Sequence, residues 1–358
     1  MNHHLIGRQR LLNQQINRSG NHDPAAVVQT LGAMQAQDYL AALWAVGIRT
    51  PNAAEPTISA ALAERRIVRT WLMRGTIHLA PPADVRWMLD LFAPKIVRQS
   101  RPRLRQLELD GPTLVAAEKV IVTALAGGRQ ATRSDLFAAL AAAGIAPTGQ
   151  RGYHILVQLA YAKRICFGPH NEKQPTFALL DEWIPNAPAP GRDEAIATLA
   201  LRYFRSHGPA GIADFVWWSG LTVSDTKAAL AAIADQLEST TIDKQTYYFA
   251  PQPPISFAEP QVFLLPAFDE FLIAYRDRSA VLDPAYAALI VPGGNGVFKP
   301  MVVLDGRISG TWQRERKARQ VEIRLHPFTS WSDAEQRAIA VSAEQYGRFL
   351  GLAVGLSL

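Results

Sequence analysis

Ile67-Val68-Arg69-Thr70-Trp71-Leu72-Met73-Arg74-Gly75-Thr76-Ile77-His78-Leu79-Ala80 sets the architecture of the first third of the chain. The stretch is rich in β-branched and aromatic residues and is broken once, at Arg74-Gly75. It therefore reads as two short strands joined by a tight turn. Pro81-Pro82 ends it. Ahead of it lie helical patterns over residues 5–16, from Asp23-Pro24 to about Met34, and from about Thr57 to Arg65. Three helices followed by a two-stranded hairpin is the layout of a winged helix. A long helix is expected next, to about Arg98.

The layout recurs. Residues 113–126 read as a helix, and Ser134 is expected to cap a second that Gly144 closes. Gly152 to Ala162 is a third helix, leading into strands at Arg164–Phe167 and Phe177–Leu180. The Pro-rich stretch Pro185–Gly191 is a linker. A third round brings a helix over 192–206, the segment Gly208–Trp218, a helix from Ser224 and a strand at Tyr247–Phe249. Trp217 and Trp218 are expected in its core, because large aromatics dominate small helical cores.

Beyond Pro260 the texture turns to β. Val262–Leu265, Val297–Leu304, Arg307–Gln313 and Val321–Leu325 read as strands, with Asp305-Gly306 as a hairpin turn and a last helix over 332–350. Pro292-Gly293-Gly294-Asn295-Gly296 is a turn, since no helix with Lys and Ser/Thr follows it as a phosphate-binding loop requires. The expected fold is α+β: three tandem winged-helix units over 1–110, 111–190 and 191–258, then a C-terminal β-barrel-like domain with a terminal helix over 259–358.

Composition narrows the function classes. A chain of 358 residues, 48% hydrophobic and 19% charged, can bury two or more cores and has no run long enough to span a bilayer. The polar first four residues argue against a signal peptide, and the single cysteine, Cys166, fits a reducing cytoplasm. The eight histidines are scattered without metal-ligand spacing, so neither a metal nor a cofactor is expected. The net charge of +6 is uneven: 14 bases stand against 8 acids in residues 1–110, while 259–358 balance at 11 and 11. Residues 299–324 nonetheless hold seven bases against three acids. Two basic zones separated by neutral sequence suggest a polyanion that touches both; either zone taken singly also reads as a solvated surface of mixed charge.

One stretch breaks its pattern. The helix opened by Asp23-Pro24 shows a stripe of Val27, Val28, Leu31 and Met34, and where it should continue stand Gln35, Gln37 and Asp38. If the backbone is extended there, Gln35 and Gln37 share one face. Two neutral amides could hold a water or a polar substrate without adding charge; they also read as a helix cap or a solvated end.

Four segments in order carry a resemblance: Gln35-Ala36-Gln37-Asp38, Arg69 to Leu79, Leu265-Pro266-Ala267-Phe268-Asp269-Glu270-Phe271 with Tyr275-Arg276-Asp277-Arg278, and Asp305-Gly306-Arg307 before Gly310-Thr311-Trp312. Together they resemble the AlkZ-type DNA glycosylases over nearly the whole chain. The resemblance implies three tandem winged helices plus a C-terminal β-barrel around a DNA channel. It also implies removal of alkylated purines from DNA, interstrand crosslinks included, by a Gln-x-Gln pair. By motif match that pair is Gln35 and Gln37; Ala36 between them is smaller than the bulky aliphatic some members carry.

The chemistry is physically credible. A purine alkylated at N7 or N3 is cationic and already a good leaving group, so little general-acid help is needed. What remains is to place a water against the sugar carbon and stabilise an oxocarbenium-like transition state. No lysine precedes Lys95, so a Schiff-base step near the pair lacks a nucleophile and the enzyme reads as monofunctional. Asp38 reads first as the cap of the next helix, with a full negative charge in support of the active site as its second role. Arg69 and Arg74 flank the first hairpin and, with Arg314, Arg316, Lys317 and Arg319, are candidates for DNA phosphates. Trp71 and His78 read as strand core with active-site support as the second role, and Asp269, Glu270, Arg276, Asp277 and Arg278 as a buried ion network that holds the barrel to the helices, with the same second role. Double-stranded DNA is the expected partner of a monomeric, nucleoid-associated bacterial protein. The competing class is a non-catalytic DNA-binding regulator, and a third is a scaffold for protein partners.

Overall fold

In the computed structural model, residues 3–16, 23–171, 174–251, 260–294 and 296–358 are described. They form two compact units, one of residues 59–195 and the other of 1–58 together with 196–358. No helix among the described residues is long and apolar enough to cross a membrane.

The contiguous unit is organised on the opening hairpin. Val68–Trp71 and Ile77–Ala80 pair antiparallel, and the turn between them puts Arg74 at φ 56° and Gly75 at φ 79°. The sheet continues from Val68–Trp71 to Ile165–Asn171, Gln174–Leu179 and Ala131–Thr132, so the two sequence-predicted hairpins share one sheet. Trp71, Phe167 and Phe177 pack as its centre, with Trp71 and Phe167 centroids 4.6 Å apart and Trp71 and Phe177 stacked at 6.3 Å. Two details differ from expectation. The helix Val85–Gln106 runs well past Arg98 with Pro94 and Pro102 inside it. The helix Arg133–Ala142 is capped by Thr132 rather than Ser134, because Thr132 and Asp135 form a reciprocal capping box.

The other unit joins the two ends of the sequence. The helices His3–Asn13, Pro24–Leu31 and Tyr39–Gly47 belong to it, the last being one more helix than the sequence reading places before the hairpin. Its five-stranded sheet runs Ala353–Ser357, Gln320–Pro327, Arg307–Arg316, Met301–Leu304, Val262–Leu265, open at both edges. The edge strand Ala353–Ser357 pairs parallel to Gln320–Pro327 and was not legible as a strand. Asp305 and Gly306, at φ 48° and 83°, make the tight turn expected of that dipeptide. Against this turn lies the first helix: a Cβ on Gly7 would fall on the carbonyl of Gly306, and Arg8 pairs with Asp305 at 3.1 Å. The strands 238–242 and 245–249 form a separate hairpin.

Trp44 anchors this core. It is buried between Tyr346 and Phe349 of the helix Asp333–Leu350, and its indole N–H donates to the Leu264 carbonyl at 2.8 Å. Trp217 and Trp218 separate: Trp218 is fully buried, whereas Trp217 is 44% exposed, which corrects the expectation that both are core. Consecutive helical residues point about 100° apart, so only one of the two can face the centre.

Candidate active site

The two glutamines lie where the chain passes from one helix to the next. Gly32, at φ 80°, ends the helix Pro24–Leu31, and Met34–Gln35 is extended. Burial then alternates: Met34 and Ala36 are buried, Gln35 is half-buried and Gln37 is exposed. That alternation is what an extended backbone produces when one face meets the core. Asp38 then caps the helix Tyr39–Gly47, its Oδ1 accepting the Ala41 N–H at 3.0 Å, as expected of it. Ala36 is fully buried, so the small residue between the glutamines meets core rather than solvent.

A carboxylate holds this segment from behind. The backbone N–H of Gln35 donates to Glu270 Oε1 at 2.7 Å, and the indole N–H of Trp218 donates to Glu270 Oε2 at 2.9 Å. Glu270 is 2% exposed. His207 Nε2 stands 3.6 Å from Oε2, beyond hydrogen-bond length, with its ring stacked on Tyr203. Burial pushes the His207 imidazole below its ordinary value against the upward pull of Glu270, so it is neutral at neutral pH.

Asp269, the neighbour of Glu270, accepts a two-pronged pair from Arg49 with both N···O distances at 2.8 Å, and both side chains are fully shielded from solvent. The remaining Arg49 donors reach the Gln14 carbonyl and side-chain oxygen, each at 3.0 Å, and the Ala45 carbonyl. Gln14 donates to the Tyr275 hydroxyl, which donates to the His207 carbonyl at 2.7 Å. The buried network expected around Asp269 and Glu270 is present, running through Arg49, Gln14, Tyr275 and His207, but the side chains of Arg276, Asp277 and Arg278, expected in it, are exposed or half-buried. Asp214 belongs to the same interior: its carboxylate accepts the N–H groups of Arg276, Asp277 and Gly211. Sequence reasoning missed His207, Trp218, Arg49 and Asp214. The one local signal is a polar or charged residue inside an otherwise apolar run, as with Asp214 in Ile212–Trp218.

The candidate phosphate-binding residues divide. At the tip of the hairpin formed by Arg307–Arg316 and Gln320–Pro327, Arg316, Lys317 and Arg319 are exposed. Arg316 also pairs with Glu55 at 2.8 Å and Lys317 with Glu322 at 3.4 Å. Arg314 points back, donating to the Tyr346 hydroxyl at 2.7 Å. In the contiguous unit Arg69 is buried with its guanidinium over the Phe167 ring, while Arg74 is half-buried on the turn. Trp71 and His78 are both buried there, the latter with Nδ1 3.0 Å from the Thr76 carbonyl.

An extended segment that displays two neutral amides, braced by a buried carboxylate and accompanied by an exposed cationic hairpin tip, suits work on a polyanion without a charged nucleophile. The family comparison agrees. Residues 28–349 match the model of the family described as DNA glycosylase AlkZ-like, and the chain belongs to that family. Among its relatives is an interstrand DNA cross-link repair glycosylase of Streptomyces sahachiroi, 25% identical in an alignment 356 positions long that covers 91% of this chain and 90% of the relative. The solved structure of the Streptomyces sahachiroi DNA glycosylase AlkZ shares the fold, with a TM-score of 0.80 at 22% identity over 99% of each chain.

Proposed function

We propose that this glycosylase hydrolyses the N-glycosidic bond of cationic N7- or N3-alkylated purines in double-stranded DNA, by a monofunctional route. The observation that carries the reading is the alternation at 34–37, which leaves Gln35 and Gln37 outward while Met34 and Ala36 are buried. Their amide oxygens accept from the attacking water and orient it toward the sugar carbon. Their partial negative charge favours the oxocarbenium-like transition state over the ground state. The cationic base needs no strong acid to leave, which fits a pair without a titratable member. Lys95 is the first lysine of the chain, so no amine near the pair in sequence suits a covalent step.

Arg316, Lys317 and Arg319 hold the DNA backbone through the hairpin tip, with Arg74 as the candidate on the first hairpin. Three winged-helix units over 1–110, 111–190 and 191–258 and a β-barrel-like domain over 259–358 remain our organisation of the chain, with the protein acting as a monomer at the nucleoid. Interstrand crosslinks are a further substrate class, in line with the cross-link repair glycosylase of Streptomyces sahachiroi. The test is incubation with duplex DNA carrying N7-alkylguanine, followed by detection of the free base. Tight duplex binding without any released base would transfer the protein to the non-catalytic, regulatory class.

A further inference from the structure

Glu270 is an expensive way to satisfy one backbone N–H. A buried carboxylate loses its hydration, and a neutral carbonyl would satisfy the Gln35 N–H without that loss. The two oxygens of Glu270 are divided between two elements far apart in sequence: Oε1 takes the Gln35 N–H at 2.7 Å and Oε2 the Trp218 indole N–H at 2.9 Å. The carboxylate is itself placed by a constrained turn. Phe268 sits at φ 59°, a left-handed conformation that costs a non-glycine residue energy, and Asp269 caps the short helix that begins at Glu270. The Arg49 pair fixes Asp269 from the other side. Both ends of the arrangement are thus rigid before any substrate arrives, which is the condition for holding a reactive group within a fraction of an ångström.

Resting on the Gln-x-Gln reading above, we propose that Glu270 is a positioning residue of the glycosylase, clamping the Gln35 backbone so that both amides stand preset for the attacking water. Trp218 is the outer jaw of the same clamp. Charge-assisted hydrogen bonds are roughly twice as strong as neutral ones, so the ionised carboxylate holds the segment more tightly than an amide could. Glu270 makes no contact with the reacting atoms; its effect passes through the placement of Gln35 and Gln37.

The experiment is a single-turnover excision assay on an N7-alkylguanine duplex, run beside equilibrium DNA binding and thermal melting. Glu270→Gln keeps the shape and an oxygen for Gln35, but turns an N–H₂ group toward the Trp218 donor. We expect its excision rate to fall about 10- to 100-fold while the Kd for DNA changes by less than about twofold. Trp218→Phe keeps the packing and deletes one donor, and should lose about three- to tenfold. Combining Glu270→Gln with Gln37→Ala should cost less than the product of the two single effects, because both act on one water. A fully multiplicative loss, or a wild-type rate in Glu270→Gln, overturns the proposal. If Glu270→Gln does not fold, Trp218→Phe decides alone, and a wild-type rate there overturns it. The underlying reading fails separately, when Gln35→Ala and Gln37→Ala both excise at the wild-type rate.

Discussion

Residues 59–195 gather their aromatic cluster from one continuous stretch of chain, whereas 1–58 and 196–358 add to an aromatic core a buried ion pair made across a long gap. In the first unit Trp71, Phe167 and Phe177 pack against each other, and the sequence that supplies them is continuous. In the second, Arg49 finds Asp269 and Gln35 finds Glu270 across separations of 220 and 235 residues. An apolar cluster degrades gradually when trimmed. A buried ion pair fails abruptly, because the surviving partner is left charged and dry. The glutamine pair sits in the unit of the second kind, and the Gln35 backbone is bonded to its polar interior.

The largest expected effect tests this contrast directly. Arg49→Ala leaves the buried Asp269 carboxyl without its guanidinium partner, and should destabilise its unit by about 3–5 kcal/mol. Limited proteolysis should then cut within 1–58 and 196–358 before 59–195; uniform loss of both would break the distinction between the units. Phe177→Ala in the contiguous unit should cost about 3 kcal/mol, with the order of cleavage reversed. Gln37→Ala should lower excision by about a hundredfold, near 2.7 kcal/mol at the transition state, without moving the melting temperature. Joint replacement of Arg316 and Lys317 by alanine should lessen the salt slope of DNA binding by about two, equally on every sequence. An unchanged slope would make the hairpin tip a solvated face only.

The smallest effect is in pH. His170, in the contiguous unit, is held at about 4 by burial and then by Arg69, and burial likewise lowers His207 in the other unit. Both are depressed bases, so below about pH 6.5 the unfolded chain binds more protons than the folded one. Stability is therefore full above that pH and should decline as pH falls from about 6.5 towards 4. Melting curves of His170→Asn should show a shallower decline over that window, and an unchanged slope would remove His170 from the account.

What the sequence disclosed follows the same division. The hairpins at 67–80 and 164–180 were legible, because turn residues and β-branched runs are local signals. So were the caps Asp23 and Asp38 and the Asp305-Gly306 turn. The helix Val85–Gln106 extends beyond the end expected near Arg98, through Pro102, and its last turn buries Leu104. Trp217 was placed in the core on residue type alone, which carries no information about the phase of its helix. Of the site, the glutamines and the charged character of Asp269 and Glu270 could be read. The bond between Gln35 and Glu270 could not, since nothing local marks which residue 235 positions away will meet a given N–H.

The separation between Arg49 and Asp269 also sets a schedule. Ribosomes add about 5–20 residues per second, so the 220 residues between them take about 10–40 s to appear. During that interval 59–195 is delivered complete with its own aromatic partners, while the N-terminal helices wait with an unpaired guanidinium. A nascent chain that has reached residue 260 carries both glutamines and neither of the carboxylates that brace them.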